Sequence, residues 1–350
     1  MASPLFENPW GGPAGNWALT MNAFTYAAPW WLPGGNLQTI WSALRSNRFE
    51  GKAPVYQRER WVTPDADFID VDFMQAPLVP KRPLVVLFHG LEGTSRSHYA
   101  EAFADFARQR GLAFCVPHFR GCSGELNLAP RAYHSGDFEE IGWILQRLRA
   151  RHAGPIVAVG VSLGGNALLR WAQEMGEQAS QVVSAVASVC SPIDLAASGA
   201  AIGKGFNRLV YTRMFINSMK PKALRKLAQH PGLFDRDALV QATDLYQFDN
   251  IFTAPLHGFK NTEDYWARCS AKPHLEQIRI PALVVNALND PFVPATCLPS
   301  IAANGQSGRV GSHVTLWQPA QGGHVGFPQG GFPAHLRAMP EQVGSWLLGN

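Results

Sequence analysis

Two hydrophobic rhythms divide the chain. Residues 60–63 and 68–73 (FIDVDF) alternate apolar and polar positions across the turn Pro64-Asp65-Ala66-Asp67, as expected of a half-buried antiparallel hairpin. Residues 83–89 (PLVVLFH), 113–118 (AFCVPH), 156–161 (IVAVGV), 182–190 and 282–288 (ALVVNAL) are instead continuous apolar runs rich in β-branched side chains. Such runs mark strands covered on both faces. Helical stripes lie between them. Residues 99–110 set Phe103, Phe106 and Ala107 on one face before Gly111, and 137–151 place Ile141, Leu145 and Leu148 behind an Asp137-x-x-Glu140 capping signal. A third stripe, 166–175, follows the run IVAVGV almost directly. The alternation predicts an α/β architecture: a mostly parallel central sheet of about eight strands flanked by helices, with right-handed crossovers. Residues 196–276 break the rhythm with a long mixed helical stretch, which predicts a helical cap inserted before the penultimate strand. The first 58 residues differ again, holding Trp10, Trp17, Trp30, Trp31 and Trp41 among Pro and Gly. They read as a covering segment ahead of a single domain spanning residues 59–350.

Composition narrows the function. With 350 residues, 46% of them hydrophobic, the chain can bury a large core. The net charge of +4 comes without any run of more than two Lys or Arg, so the clustered footprint needed on a phosphate backbone is missing and nucleic-acid binding is disfavoured. No apolar tract approaches the roughly 20 residues of a membrane span, which leaves peripheral membrane contact as the most that is expected. The N-terminus lacks the basic and apolar regions of a secretory signal. Five scattered cysteines without a CxxC pair argue against a disulfide frame and a structural zinc site, and a cytoplasmic location is expected.

The chemistry centres on Gly160-Val161-Ser162-Leu163-Gly164, a GxSxG string between a buried strand and a helix. Small residues two positions either side of the serine let strand and helix meet at a sharp turn, which exposes the hydroxyl at a helix N-terminus. A serine needs a base, and the base needs a carboxylate to orient it. Asp290 follows the strand ALVVNAL, and His324 sits in Gly322-Gly323-His324-Val325-Gly326 beyond a strand-like run at 313–317. Ser162, Asp290, His324 is therefore the expected catalytic triad. His313 is the alternative base and Asp194 the alternative acid, while Asp137 is more simply a helix cap. The oxyanion of an acyl-transfer intermediate needs two backbone donors; these are expected from Leu163 and from Leu91, in the turn His89-Gly90-Leu91-Glu92-Gly93. No HExxH or HxxxH spacing is present, so neither a metal nor a cofactor is expected. Phe206, Leu209, Val210, Met214, Phe215 and Met219 are candidates for an apolar cap face lining an acyl pocket.

Taken together, FHGLEG, HFRGCSGE, GVSLGGNALLRW, NALNDPFVP and GGHVGF resemble the α/β-hydrolase superfamily, and PWWLPGGNLQTIW at 29–41 is similar to the N-terminal signature of its YheT-like branch. The resemblance spans about residues 28–347. It implies an esterase or lipase-like enzyme acting on short- to medium-chain acyl esters, with the same triad and the same two backbone donors. Acyl transfer to an alcohol on the same triad, or a silent lipid- or partner-binding member using the Trp-rich N-terminus, are the alternatives.

Overall fold

The computed structural model describes residues 25–75, 81–300 and 307–349; Trp10 and Trp17 lie outside them. Helix α1 (Gly35–Leu44) precedes the hairpin β1 (Tyr56–Val62) and β2 (Phe68–Met74), after which β3 (Leu84–Phe88), α2 (His98–Gln109), β4 (Ala113–Pro117), α3 (Phe138–Arg151), β5 (Ile156–Val161), α4 (Leu163–Met175) and β6 (Ala185–Val189) alternate. Then come α5 (Leu195–Ile202), α6 (Gly205–Asn207), α7 (Arg213–Gln229), α8 (Arg236–Gln241), α9 (Leu245–Phe248), α10 (Ala254–Leu256) and α11 (Thr262–Cys269). The sheet resumes with β7 (Ala282–Val285), β8 (Ser307–Val310) and β9 (Val314–Trp317), and α12 (Ala338–Leu347) closes the fold.

The strands form one sheet in the order β1-β2-β4-β3-β5-β6-β7-β9-β8. The run from β4 to β9 is parallel throughout, and β1, β2 and β8 add antiparallel pairs at the two edges. Nine strands stand where about eight were expected. The extra one, β8, is a four-residue edge strand in a stretch without apolar alternation, so periodicity gives no sign of it. Because β8 and β9 both follow β7, the helical insertion precedes the third strand from the end and not the penultimate one.

Side chains of β5 alternate between two cores: Ile156 and Ala158 join Ile141, Ile144, Leu168 and Trp171 beneath α3 and α4. Val157, Val159 and Val161 join Phe103, Phe106, Val343 and Trp346 beneath α2 and α12. Both faces of the central strand are thereby filled, which explains its unbroken apolar run. Asp137 does stand at the N-cap of α3, but its side chain makes no capping bond there; it pairs with Arg131 at 2.5 Å instead.

One buried charge cluster ties the hairpin to α3. Arg120, 6% exposed, reaches Asp65 at 2.7 Å, Asp67 at 2.8 Å and Glu140 at 2.5 Å. Removing one partner of such a cluster strands the others in a low-dielectric site. Arg120→Met is expected to lower unfolding stability by about 3 kcal/mol in urea denaturation; a change within about 0.5 kcal/mol, the range of ordinary surface substitutions, would show that the cluster does not hold the hairpin.

Candidate active site

The site grows out of the turn between β5 and α4. Ser162 adopts φ 52 and ψ −120, in a region L-residues rarely occupy, and its N–H donates to the Val189 carbonyl at 2.9 Å. No side chain fits around it. A Cβ on Gly160 would lie 2.4 Å from the Gly165 Cα, one on Gly164 2.5 Å from the carbonyl oxygens of Phe88 and His89, and one on Gly165 1.9 Å from the Ser191 hydroxyl. Gly165 is thus as necessary as the two glycines of the GxSxG string.

Three strands bring the expected partners together. His324 Nε2 lies 3.0 Å from Ser162 Oγ, and His324 Nδ1 lies 2.9 Å from Asp290 Oδ2. The other Asp290 oxygen accepts from the Phe292 N–H at 2.7 Å and the Val293 N–H at 3.3 Å. A carboxylate held in this way is placed to accept a hydrogen bond from an Nδ1–H tautomer of His324, the tautomer in which Nε2 can accept from the Ser162 hydroxyl. Phe292 packs its ring 4.1 Å from the imidazole. The alternatives lie elsewhere: Asp194 caps α5 by accepting from the Ala197 N–H, and His313 faces Ser312 in the turn before β9.

Sequence patterns do not show what fixes the Asp290 and His324 loops to each other. The amide of Gln38, fully buried in α1, accepts from Asn289 Nδ2 at 2.9 Å and from the Gly322 N–H at 2.9 Å. Its own NH2 donates to the Leu32 carbonyl at 2.9 Å. Thr39 Oγ1 accepts from the His324 N–H at 2.8 Å and donates to the Gly35 carbonyl at 2.7 Å. Contact is too close for side chains here also, since a Cβ on Gly35 would sit 1.8 Å from the Asn289 carbonyl oxygen. The string GGNLQTIW carried this signal, but only as a family likeness without an assigned task.

The turn after β3 lies against the serine, where a Cβ on Gly90 would come within 3.1 Å of the Ser162 Cβ. His89 braces it: buried, with its pKa pushed down to about 3 by desolvation, the ring accepts from the Phe119 N–H at Nε2 and offers Nδ1–H to the Gly90 carbonyl at 2.8 Å. The neighbouring amides of Gly90 and Glu92 donate to Tyr99 and Tyr133. The Leu91 and Leu163 N–H groups make no hydrogen bond among the described residues. Glu92, at φ 58, accepts from Tyr133 at 2.9 Å and pairs with Lys222 of α7 at 2.9 Å, which links the turn to the inserted helices.

Leu91 and Leu163 border a cavity of about 70 Å³ whose far wall is Met219, Ala223, Phe248 and Phe252 from the insertion. Of the six apolar residues expected on the inner face of the cap, only Met219 lines this cavity. Phe215 is half-buried against Phe292, while Phe206, Leu209, Val210 and Met214 are exposed. Helical periodicity identified a stripe here, but not the side on which solvent lies.

Cys190, behind the acid–base pair, has its thiol within 4.8 Å of the Asp290 and His324 ligand atoms, the one such trio among the described residues. Burial raises that thiol's pKa well above its usual value, and it donates to the Gly323 carbonyl, both of which disfavour the thiolate that metal ligation needs.

The family model for the alpha/beta hydrolase fold matches residues 83–331. The chain is 36% identical to YheT of Escherichia coli, named as a provisional esterase, over 83% of this chain and 84% of that protein. It is 26% identical to phospholipase ABHD3 of Homo sapiens over 90% of this chain and 76% of that one. The monoacylglycerol lipase of Saccharomyces cerevisiae shares 26% identity over 70% of this chain and 55% of its own length. With the fold model matching most of its length and esterase- and lipase-type proteins as its relatives, this chain belongs to the alpha/beta hydrolase family and falls with the YheT-like proteins that its motifs resemble.

Proposed function

We propose that the protein is a serine carboxylic ester hydrolase acting on short- to medium-chain acyl esters through an acyl-Ser162 intermediate. The observation that carries this reading is the Ser162–His324–Asp290 arrangement, at 3.0 and 2.9 Å, next to Leu91 and Leu163, which border a cavity walled in part by Met219, Ala223, Phe248 and Phe252. His324 Nε2 takes the hydroxyl proton as Ser162 Oγ attacks the ester carbonyl. The tetrahedral oxyanion accepts from the Leu91 and Leu163 N–H groups; one such donor is worth about 3 kcal/mol in other hydrolases. Collapse expels the alcohol, which receives its proton from His324, and a water activated by the same imidazole then releases the acid. The acyl chain lies in the cavity, and the inserted helices act as its cap. The relatives' names, esterase, phospholipase and monoacylglycerol lipase, agree on ester substrates. Five free, buried cysteines suit a reducing cytoplasm, and no described helix is long and apolar enough to cross a membrane.

Ser162→Ala is expected to reduce p-nitrophenyl ester hydrolysis by at least about 10³-fold and to abolish fluorophosphonate labelling, with the fold intact by circular dichroism. Full turnover in the variant would refute the acyl-serine mechanism. Along a ladder from acetate to laurate, kcat/KM is expected to rise over the first added methylenes, each gaining up to about 0.8 kcal/mol on burial, and to fall when the cavity is full. A maximum at acetate would remove the cavity from substrate binding.

Gln38→Leu leaves the Asn289 amide and the Gly322 N–H without their buried acceptor, at about 1–3 kcal/mol for each stranded group. The expected result is a 10- to 100-fold loss in kcat with KM nearly unchanged, an estimate of about 1.4 kcal/mol per factor of ten. Unaltered kcat would show that α1 merely covers the site.

A further inference from the structure

We propose that the stretch from Lys204 to Met214, an exposed apolar and cationic ridge above His324, docks the protein onto an anionic lipid–water surface. Phe206, Leu209, Val210 and Met214 are 50%, 73%, 36% and 54% exposed, an apolar concentration that serves no core. Its charge is one-sided. Residues 204–214 contain three basic side chains and no Asp or Glu. Lys204, Arg208 and Arg213 alternate with the apolar side chains, are themselves exposed, and form no ion pair among the described residues. Apolar side chains flanked by unpaired cations are what an interfacial segment presents to acyl chains and anionic headgroups at once.

Position gives the ridge its use. Phe206 meets Tyr211 edge to face with ring centroids 6.1 Å apart, Tyr211 meets Phe292 edge to face at 4.6 Å, and Phe292 lies tilted against His324 at 4.1 Å. The ridge is also fixed to the acid loop and to α1: Asn207 Nδ2 donates to the Pro291 carbonyl at 2.6 Å, and the Tyr211 hydroxyl donates to Asn36 Oδ1 at 2.9 Å. Residues 208–212 close this anchored turn as a π-helix, which widens the turn and turns Leu209 and Val210 outward while Tyr211 stays buried. A second copy of the chain is a poor occupant, because a two-fold interface would set the same cations against each other. An anionic bilayer surface satisfies both the charge and the apolar area, and a surface bound there would be joined to the His324 imidazole through the Tyr211 and Phe292 rings. The proposal goes beyond ester hydrolysis and is measured without turnover.

The test is co-sedimentation of the full chain with large unilamellar vesicles of phosphatidylcholine alone and with 30% phosphatidylglycerol, an amount chosen as roughly that of a strongly anionic membrane surface. The wild type is expected to sediment with the anionic vesicles and to be released by salt. Arg208→Gln with Arg213→Gln should weaken partitioning about fivefold per charge, and Leu209→Ser with Met214→Ser should weaken it at least as much, while both variants hydrolyse a soluble p-nitrophenyl ester at the wild-type rate. Absence of anionic-vesicle binding, or equal binding by the wild type and both variants, would overturn the proposal. So would wild-type dimers in analytical ultracentrifugation that Leu209→Ser with Met214→Ser makes monomeric, since the ridge would then be a protein interface. Loss of ester hydrolysis in Ser162→Ala with vesicle binding retained, or the reverse, separates this proposal from the catalytic reading.

Discussion

The architecture depends on a turn with no room in it. Ser162 reverses the chain from β5 into α4 at φ 52, and the backbone strain of about 1–3 kcal/mol is tolerable only because everything around it is over-determined. Its N–H is bonded to β6, its carbonyl accepts from Gly165, and the Gly164 Cα rests on the carbonyls that end β3. That last contact carries furthest. It places the turn after β3 directly beside the serine, so the expected oxyanion donors Leu91 and Leu163 are neighbours because the elbow is tight. A wider turn would relieve the strain and separate them.

Asp290 and His324, the expected acid and base, are a different problem, because each sits on its own loop beyond its own strand. Pairing of β7 with β9 brings the two loops side by side but does not set their relative height or rotation. Helix α1 does that, through an amide that binds both loops and a hydroxyl that holds the backbone of His324 itself. Gln38 suits the task because one side chain offers both an acceptor and two donors, and because a neutral amide can be buried fully once all of them are satisfied. A Glu at this position would meet the Leu32 carbonyl without a proton to donate unless it were neutralised.

What could be read in the chain beforehand was whatever is local. The elbow announces itself within six residues, Asp290 and His324 each follow an apolar run by a few positions, and the strands covered on both faces are continuous and therefore visible. The clamp was hidden because Gln38 and Gly322 are 284 residues apart and nothing in either neighbourhood implies the other. Asp137 shows the opposite failure: its spacing to Glu140 is a capping pattern, yet a nearby arginine outcompetes the helix for the carboxylate. Strand β8 was hidden because its four residues, Ser-Gly-Arg-Val, are too few and too little apolar to display a period.

The inserted helices show why amphipathicity alone does not assign an inside. In α7 the residues facing the catalytic half include Ser218, Lys222 and Lys226, a polar stripe at helical spacing that bonds to Glu92 and to the Asn127 and Ala129 carbonyls. Lys226 is buried to 1% exposure with its ammonium donating to the Asn127 and Ala129 carbonyls, and desolvation draws its pKa down to about 8 against the opposing pull of Asp67. A hydrophobicity pattern places such a stripe in solvent, and so turns the neighbouring apolar residues inward. The structure turns both kinds of side chain inward, since Ile216 and Ala223 are buried on the same helix that carries the lysines. The surface beneath α7 accepts both: Glu92 and the Asn127 and Ala129 carbonyls take the ammonium groups, while Phe248 and Phe252 pack with Ile216 and Ala223. With polar and apolar positions mixed on the inward face, the apolar pattern does not tell Ile216, which is buried, from Met214, which is exposed.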